Sequence, residues 1–286
     1  MSDWKPQSIL IVGCGLLGAS FAKAVHAHFP QCRLHAVEVD AAYRAWAEAS
    51  GLFETVVSSL PERPVFDLAV LATPVDVACR QLPKAASVAR WVMDVCSVKQ
   101  QICQAAVDSG VQGQFAPTHP MAGLAVPGPS ASRGDLFEQR TWLILDGWPA
   151  CAVLAPFLAG LGAKVETVPS AEVHDAAMAS VSHGIHVTSL CALLAADREK
   201  QRMGGEWQHW VGPAFRDITR LAASPSGFWT STLLANRDAV QGYLEQLQTA
   251  LHEVSDLLRA GDPGPMKAWL EGARDVHTAW GAGGPR

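Results

Sequence analysis

Apolar positions along this chain follow two regimes. In the first half, short apolar runs alternate with longer stretches whose apolar residues recur at helical spacing. The runs at 8–13, 33–38, 67–72, 91–95, 113–117, 141–146 and 163–168 read as strands, and stretches such as 41–50 and 76–89 read as helices. Strands that alternate with helices predict a mostly parallel sheet with crossover helices. From about Ala171 strand-like runs cease. Long alanine- and leucine-rich stretches at 171–196, 213–223 and 228–260 predict helices instead. The expected fold class is therefore α/β, with a parallel-sheet domain over 1–169 and an all-helical domain over 170–286. The glycine-rich end, 280–286, is expected to fray.

The first strand runs straight into Gly13-Cys14-Gly15-Leu16-Leu17-Gly18, and a helical stretch follows. In a βαβ dinucleotide fold, Gly13 permits the tight turn, Gly15 lets backbone approach a pyrophosphate, and Gly18 lets helix pack on strand. The helix N-terminus, with Leu16 and Leu17 in its first turn, offers free N–H groups and a positive dipole end. The second strand ends in Glu38, twenty residues past Gly18, where an acid that holds the ribose hydroxyls of NAD belongs. Glu38 and Asp40 would repel the 2′-phosphate of NADP, whereas Arg44 would suit it, so NAD is the expected cofactor and NADP the weaker alternative. The N-terminal domain reads as Rossmann-type.

Ligands of an open parallel sheet bind beyond the carboxyl ends of its strands. Thr73-Pro74 follow the third predicted strand, Ser97 and Lys99 the fourth, and Thr118-His119-Pro120-Met121-Ala122-Gly123 the fifth. Polar groups thus converge on the edge that holds the glycine loop. His119 has the side-chain type for proton transfer near neutral pH. A loop histidine that merely bonds its neighbours fits the same position. Ser97 suits a substrate hydroxyl, although a cap on the helix after Val98 is the commoner role for such a serine, and the two are compatible.

In the helical half, Asp175, Ser182 and His186 are spaced to share one stripe of a single helix. His183 and His186 are one turn apart, but no nearby acid or cysteine completes a ligand set, so no metal is expected. Arg216 and Arg220 are spaced i,i+4, which suits an anionic ligand held bidentately. An exposed helix face neutralised by Asp217 fits them equally.

Composition narrows the classes without choosing among them. The chain has 286 residues, 49% hydrophobic and 17% charged, with net charge −5. There is no basic surplus for nucleic acid. No apolar run approaches a membrane span, and no signal-peptide pattern opens the chain. Seven scattered cysteines read as reduced thiols, which suits a cytoplasmic protein.

Together these segments resemble the prephenate/arogenate (cyclohexadienyl) dehydrogenase family of tyrosine biosynthesis. The resemblance is carried by the glycine loop, Ala72-Thr73-Pro74-Val75, Asp94-Val95-Cys96-Ser97-Val98-Lys99, His119-Pro120-Met121-Ala122-Gly123, His174-Asp175, Ser182-His183-Gly184-Ile185-His186, Phe215-Arg216-Asp217-Ile218-Thr219-Arg220 and Trp229. It implies oxidative decarboxylation of a cyclohexadienol with hydride transfer to NAD. His119 would be the base and Ser97 would orient the substrate hydroxyl. Arg220 would bind a carboxylate, with Arg216, His186 and Trp229 shaping the pocket and Asp175 supporting it. Gly13, Gly15, Leu16, Leu17, Gly18, Glu38, Thr73, Pro74 and Ser97 would hold the cofactor. The resemblance also implies a homodimer built by the helical domain. Two departures stand out: Leu124 and Ala125 where many members place an acid, and Gly184 where a bulkier residue is usual. A 4-amino-4-deoxyprephenate dehydrogenase, a hydroxyacid dehydrogenase of similar layout, and a non-catalytic NAD sensor are the alternative readings.

Overall fold

A computed structural model describes residues 4–63, 65–124 and 126–282. Six parallel strands form the main sheet in the order β3-β2-β1-β4-β5-β6. They are β1 (Ser8–Val12), β2 (Arg33–Val37), β3 (Thr55–Val57), β4 (Phe66–Leu71), β5 (Ala89–Asp94) and β6 (Phe115–Ala116). Helices α1 (Leu16–His28), α2 (Ala41–Ala49), α3 (Val75–Val88) and α4 (Gln100–Asp108) connect them. Both faces of such a sheet are covered, so its strands read as unbroken apolar runs. Along β1 the pleat sends Ile9 and Ile11 into one core with Phe21, Val25 and Phe157. Leu10 and Val12 enter the opposite core with Leu82, Ile102 and Phe115.

Registry places the functional edge. Val12 pairs with Val37 on one side and with Leu71 on the other, and Leu71 pairs with Asp94. The residues that follow these strand ends therefore emerge together. They emerge where β1 lies between β2 and β4, the switch point of the strand order.

The seven predicted strands are present, with two additions. The first is β3, an edge strand whose three residues are too few to show a pattern. The second changes the setting of His119. After β6 the chain enters β7 (Thr118–Pro120), which pairs antiparallel with β8 (Thr141–Leu145), with His119 opposite Leu143. β8 then pairs parallel with β9 (Lys164–Val168) across α5 (Pro149–Gly160), so these strands form a separate three-stranded sheet. His119 thus stands on a strand, not in a free loop.

Beyond β9, α6 (Ala171–Met178) continues through a π-helical turn at Ala179–His183 into α7 (Gly184–Met203). The π turn breaks the single phase on which the stripe of Asp175, Ser182 and His186 was expected. By length and composition this continuous run is apolar enough to cross a membrane, which corrects the expectation that no stretch approaches that length. α8 (Pro213–Thr219) gives way to a 3-10 turn at Arg220–Ala223, so Arg216 and Arg220 do not lie on one regular helix. The expected helix over 228–260 is two, α9 (Ser226–Ala235) and α10 (Arg237–Ala260), separated at Asn236. α11 (Pro263–Ala282) follows and includes the first residues of the end expected to fray; residues 283–286 lie outside the described residues.

By internal contacts the chain divides after Arg237. In the first unit α6 packs on α4 and α9 packs on α3, joining these helices to the layer that covers the sheet. The second unit is the α10–α11 helical pair.

Candidate active site

Each glycine of the β1–α1 loop has a distinct reason to lack a side chain. Gly13 has φ +97°, and a Cβ there would lie 2.8 Å from the Ala72 carbonyl oxygen. A Cβ at Gly18 would lie 1.9 Å from the Gly13 carbonyl oxygen, inside any tolerable contact. At Gly15 a Cβ would meet nothing within 4 Å. The fold itself does not demand a glycine there, and the open space above the N-terminus of α1 fits a pyrophosphate.

Glu38 closes the loop from the side. One carboxylate oxygen accepts the Cys14 N–H at 2.7 Å and the other accepts the Asp40 N–H at 2.8 Å. The acid therefore fixes the glycine loop and retains lone pairs for a diol. Asp40 caps α2 through the N–H groups of Ala42 and Tyr43. Arg44 donates to the carbonyls of Glu38 and Val39. Thr73 Oγ1 is 2.9 Å from Gln81 Oε1, and Pro74 opens α3.

His119 is the head of a buried chain of side chains. Its Nδ1 lies 2.9 Å from His174 Nε2, and His174 Nδ1 lies 2.7 Å from Asp175 Oδ1. Asp175 Oδ1 also accepts the Lys99 N–H at 2.7 Å, and Oδ2 the Gln100 N–H at 2.9 Å. With these N–H groups on its oxygens, Asp175 accepts from His174 Nδ1–H. His174 Nε2 then carries a lone pair and accepts from His119 Nδ1–H. One consequence follows at the end of the chain: His119 Nε2 carries a lone pair, as a general base requires. Burial, followed by the adjoining His174, Lys99 and His183, pushes the His119 pKa well below the ordinary histidine value. The imidazole is therefore neutral at physiological pH.

This arrangement corrects two assignments. Asp175 is fully buried and its oxygens are engaged, so it acts behind His174 and not on substrate. It is Asp175, from α6, that caps α4. Ser97 does not cap it; its hydroxyl lies 3.5 Å from Thr232 Oγ1 on α9.

The helical elements close round the same point. Asn236 Nδ2 donates to the Asp175 carbonyl at 2.9 Å and lies 3.0 Å from His183 Nδ1. His186 stacks on Trp229 with centroids 3.6 Å apart, and its buried Nδ1 has no partner among the described residues. His183 meets the edge of the same indole. Burial lowers the pKa of His183 to about 4 and that of His186 in the same direction. Arg216 and Arg220 are exposed, and neither guanidinium has a hydrogen-bonding or ionic partner among the described residues. α8 and the following 3-10 turn both pack on α7, the helix of His186. Asp217 does not pair with either arginine.

Sequence reasoning gave His174 no role of its own and missed Asn236 and Thr232. The adjacency of His174 to Asp175 was the available signal, but only the packing of α6 on α4 gives it meaning. Leu124 is 41% exposed; Ala125 lies outside the described residues.

Comparison with known proteins points the same way. The family model for the prephenate dehydrogenase nucleotide-binding domain matches residues 21–167, and that for the prephenate dehydrogenase dimerization domain matches residues 170–272. A probable prephenate dehydrogenase of Streptomyces niveus is 31% identical over 265 residues, covering 88% of this chain and 69% of that protein. A cyclohexadienyl dehydrogenase of Zymomonas mobilis is 26% identical, with 90% of each chain covered. The crystal structure of prephenate dehydrogenase from A. aeolicus, in complex with hydroxyphenyl propionate and NAD+, superposes with a TM-score of 0.87 at 21% identity. That match covers 97% of this chain and 99% of the other. This chain belongs to the prephenate dehydrogenase family.

Proposed function

We propose that this protein is an NAD-dependent dehydrogenase that oxidatively decarboxylates prephenate, arogenate or both. The observation that carries the reading is the His119–His174–Asp175 chain, which presents a lone pair at the sheet edge that also holds the glycine cradle. The cofactor is NAD, held by Gly13, Gly15, Leu16, Leu17, Gly18, Glu38, Thr73, Pro74 and Ser97. When bound, NAD supplies the acceptor for the hydride that leaves the ring carbon bearing the hydroxyl.

His119 Nε2 accepts the hydroxyl proton as that carbon becomes a carbonyl. The bond to the ring carboxylate then breaks, carbon dioxide leaves, and its electron pair aromatises the ring. The developing phenolate oxygen takes the proton back from His119, so the step consumes no net proton. Ser97 orients the hydroxyl toward His119. Arg220, with Arg216, supplies guanidinium to a substrate carboxylate, and His186 and Trp229 form a flat wall for the ring. Lys99 is not an exposed base of the kind a hydroxyacid dehydrogenase would use, because its ammonium is fully buried against Asp94.

We further assign 1–169 to cofactor binding and 170–286 to substrate binding and dimerisation, a division supported by the change of family model between 167 and 170. The assembly is a homodimer. Its support is the heptad-like spacing of Val240, Leu244, Leu247, Leu251, Val254 and Leu258 on α10, with Leu251 and Leu258 exposed in the single chain. The setting is cytoplasmic, in keeping with seven free cysteines.

The test is NADH formation by the purified protein with prephenate and arogenate in parallel, repeated with NADP. Turnover of either substrate with NAD supports the proposal. Activity confined to 4-amino-4-deoxyprephenate or to a short hydroxyacid would overturn the substrate assignment.

A further inference from the structure

We propose that Lys99 is the positioning residue of this site: its buried side chain fixes the strand that carries His119 and sets an ammonium charge that keeps the proton off His119 Nε2, while its main-chain N–H fixes Asp175 at the far end of the histidine chain. The proposal rests on the reading of His119 as the base. The Lys99 side chain is completely buried. Its Nζ pairs with Asp94, also fully buried at the end of β5, and donates to the Thr118 carbonyl at 2.7 Å.

Asp94 accepts the N–H of Thr118 at 3.0 Å and that of Cys96 at 2.9 Å. The Thr118 hydroxyl donates to the Asp94 main-chain carbonyl and accepts from Trp142 Nε1 at 3.0 Å. Thr118, the residue immediately before His119, is thus held at its amide, carbonyl and hydroxyl. At the same turn the Lys99 N–H holds Asp175. Both ends of the chain meet in one residue.

An ion pair is an expensive way to fill such a space, because apolar residues of similar volume often stabilise a core as well or better. The charge has a second consequence here. Burial disfavours the ammonium, but the Asp94 carboxylate against it holds the Lys99 pKa above the ordinary lysine value. The groups that face His119 are His174 from α6, Lys99 from the turn after β5, and His183 from the π turn. Those that face His174 are Asp175 beside it, Lys99, and Asp94 from β5. After burial, the Lys99 charge opposes protonation of both imidazoles. It thereby helps to keep the proton off His119 Nε2.

The test is a titration of the protein labelled with 15N in its histidine imidazoles, followed by NMR, with His119 and His174 assigned through His119→Asn and His174→Gln. Wild type is compared with Lys99→Met and with Asp94→Asn/Lys99→Met. The double variant leaves no buried charge unpaired and carries the test if Lys99→Met does not fold. Removal of the ammonium is expected to raise the His119 midpoint by at least ~0.5 pH unit. The acidic limb of kcat/KM should move the same way, with the Kd for NAD within about two-fold of wild type. Unmoved midpoints in the variants would overturn the proposal and leave Lys99 a structural peg. An inactive wild type would overturn the dehydrogenase reading instead, and the titration would still decide the role of Lys99.

Discussion

At the scale of single residues, the glycine loop shows how far sequence alone can reach. Gly13, Gly15 and Gly18 were each given a role from spacing, and each has a matching geometric cause: a positive φ, open space, and a backbone in contact. The causes separate in experiment. Gly18→Ala should destabilise the fold severely, because its Cβ has no room. Gly15→Ala should leave the thermal midpoint within about 2 °C of wild type while weakening NAD binding at least ~10-fold, since it fills the space a pyrophosphate needs. Calorimetry and fluorescence titration of the two variants check this. His119 was legible because it follows a strand at the ligand edge. The tautomer that leaves a lone pair on its Nε2 was not, since it depends on a histidine 55 positions away that only the fold brings within 2.9 Å.

At the scale of elements, boundaries moved where tertiary bonds outweighed local preference. The stretch 228–260 reads from its sequence as one helix, yet it breaks at Asn236. There the side chain reaches back to the Asp175 carbonyl and to His183. The π turn at Ala179–His183 is a comparable adjustment, and such turns cluster at functional sites. His174 and Asp175 lie before it, while His183 closes it and His186 follows it. Neither device has a signature in apolar spacing, and β7 is too short to leave one. Asn236→Ala leaves buried groups on His183 and Asp175 without a donor. It should cost about 1–3 kcal/mol of stability, measured by urea unfolding, and should lower kcat more than it raises KM. A loss of stability with kcat untouched would show that Asn236 supports the fold alone.

At the scale of the whole molecule, the parallel sheet and the helical second half were readable because a buried parallel sheet needs unbroken apolar strands. The contact boundary after Arg237 was not readable, because it depends on which helices pack against the sheet layer. Two properties of the whole chain follow. His119, His174 and His183 are buried with pKa values below that of an unfolded histidine, near 6.5. The unfolded chain therefore binds more protons, and stability falls as pH drops below about 6.5. For His183 the loss continues to its folded value of about 4. Each histidine contributes about 1.4 kcal/mol per pH unit within its window, which urea midpoints at about pH 7 and pH 5 would reveal. In the proposed dimer, Leu251→Asp with Leu258→Asp puts charge into the α10 seam. Sedimentation should then show monomers where the wild type shows dimers, and an unchanged dimer would place the interface elsewhere.

The most direct measurement is NADH formation from prephenate and NAD by the wild type and by His119→Asn, side by side, with NAD binding measured on both. The account predicts turnover by the wild type and a kcat at least ~10²-fold lower for the variant, with NAD bound equally well. Equal kcat in the two proteins would contradict it.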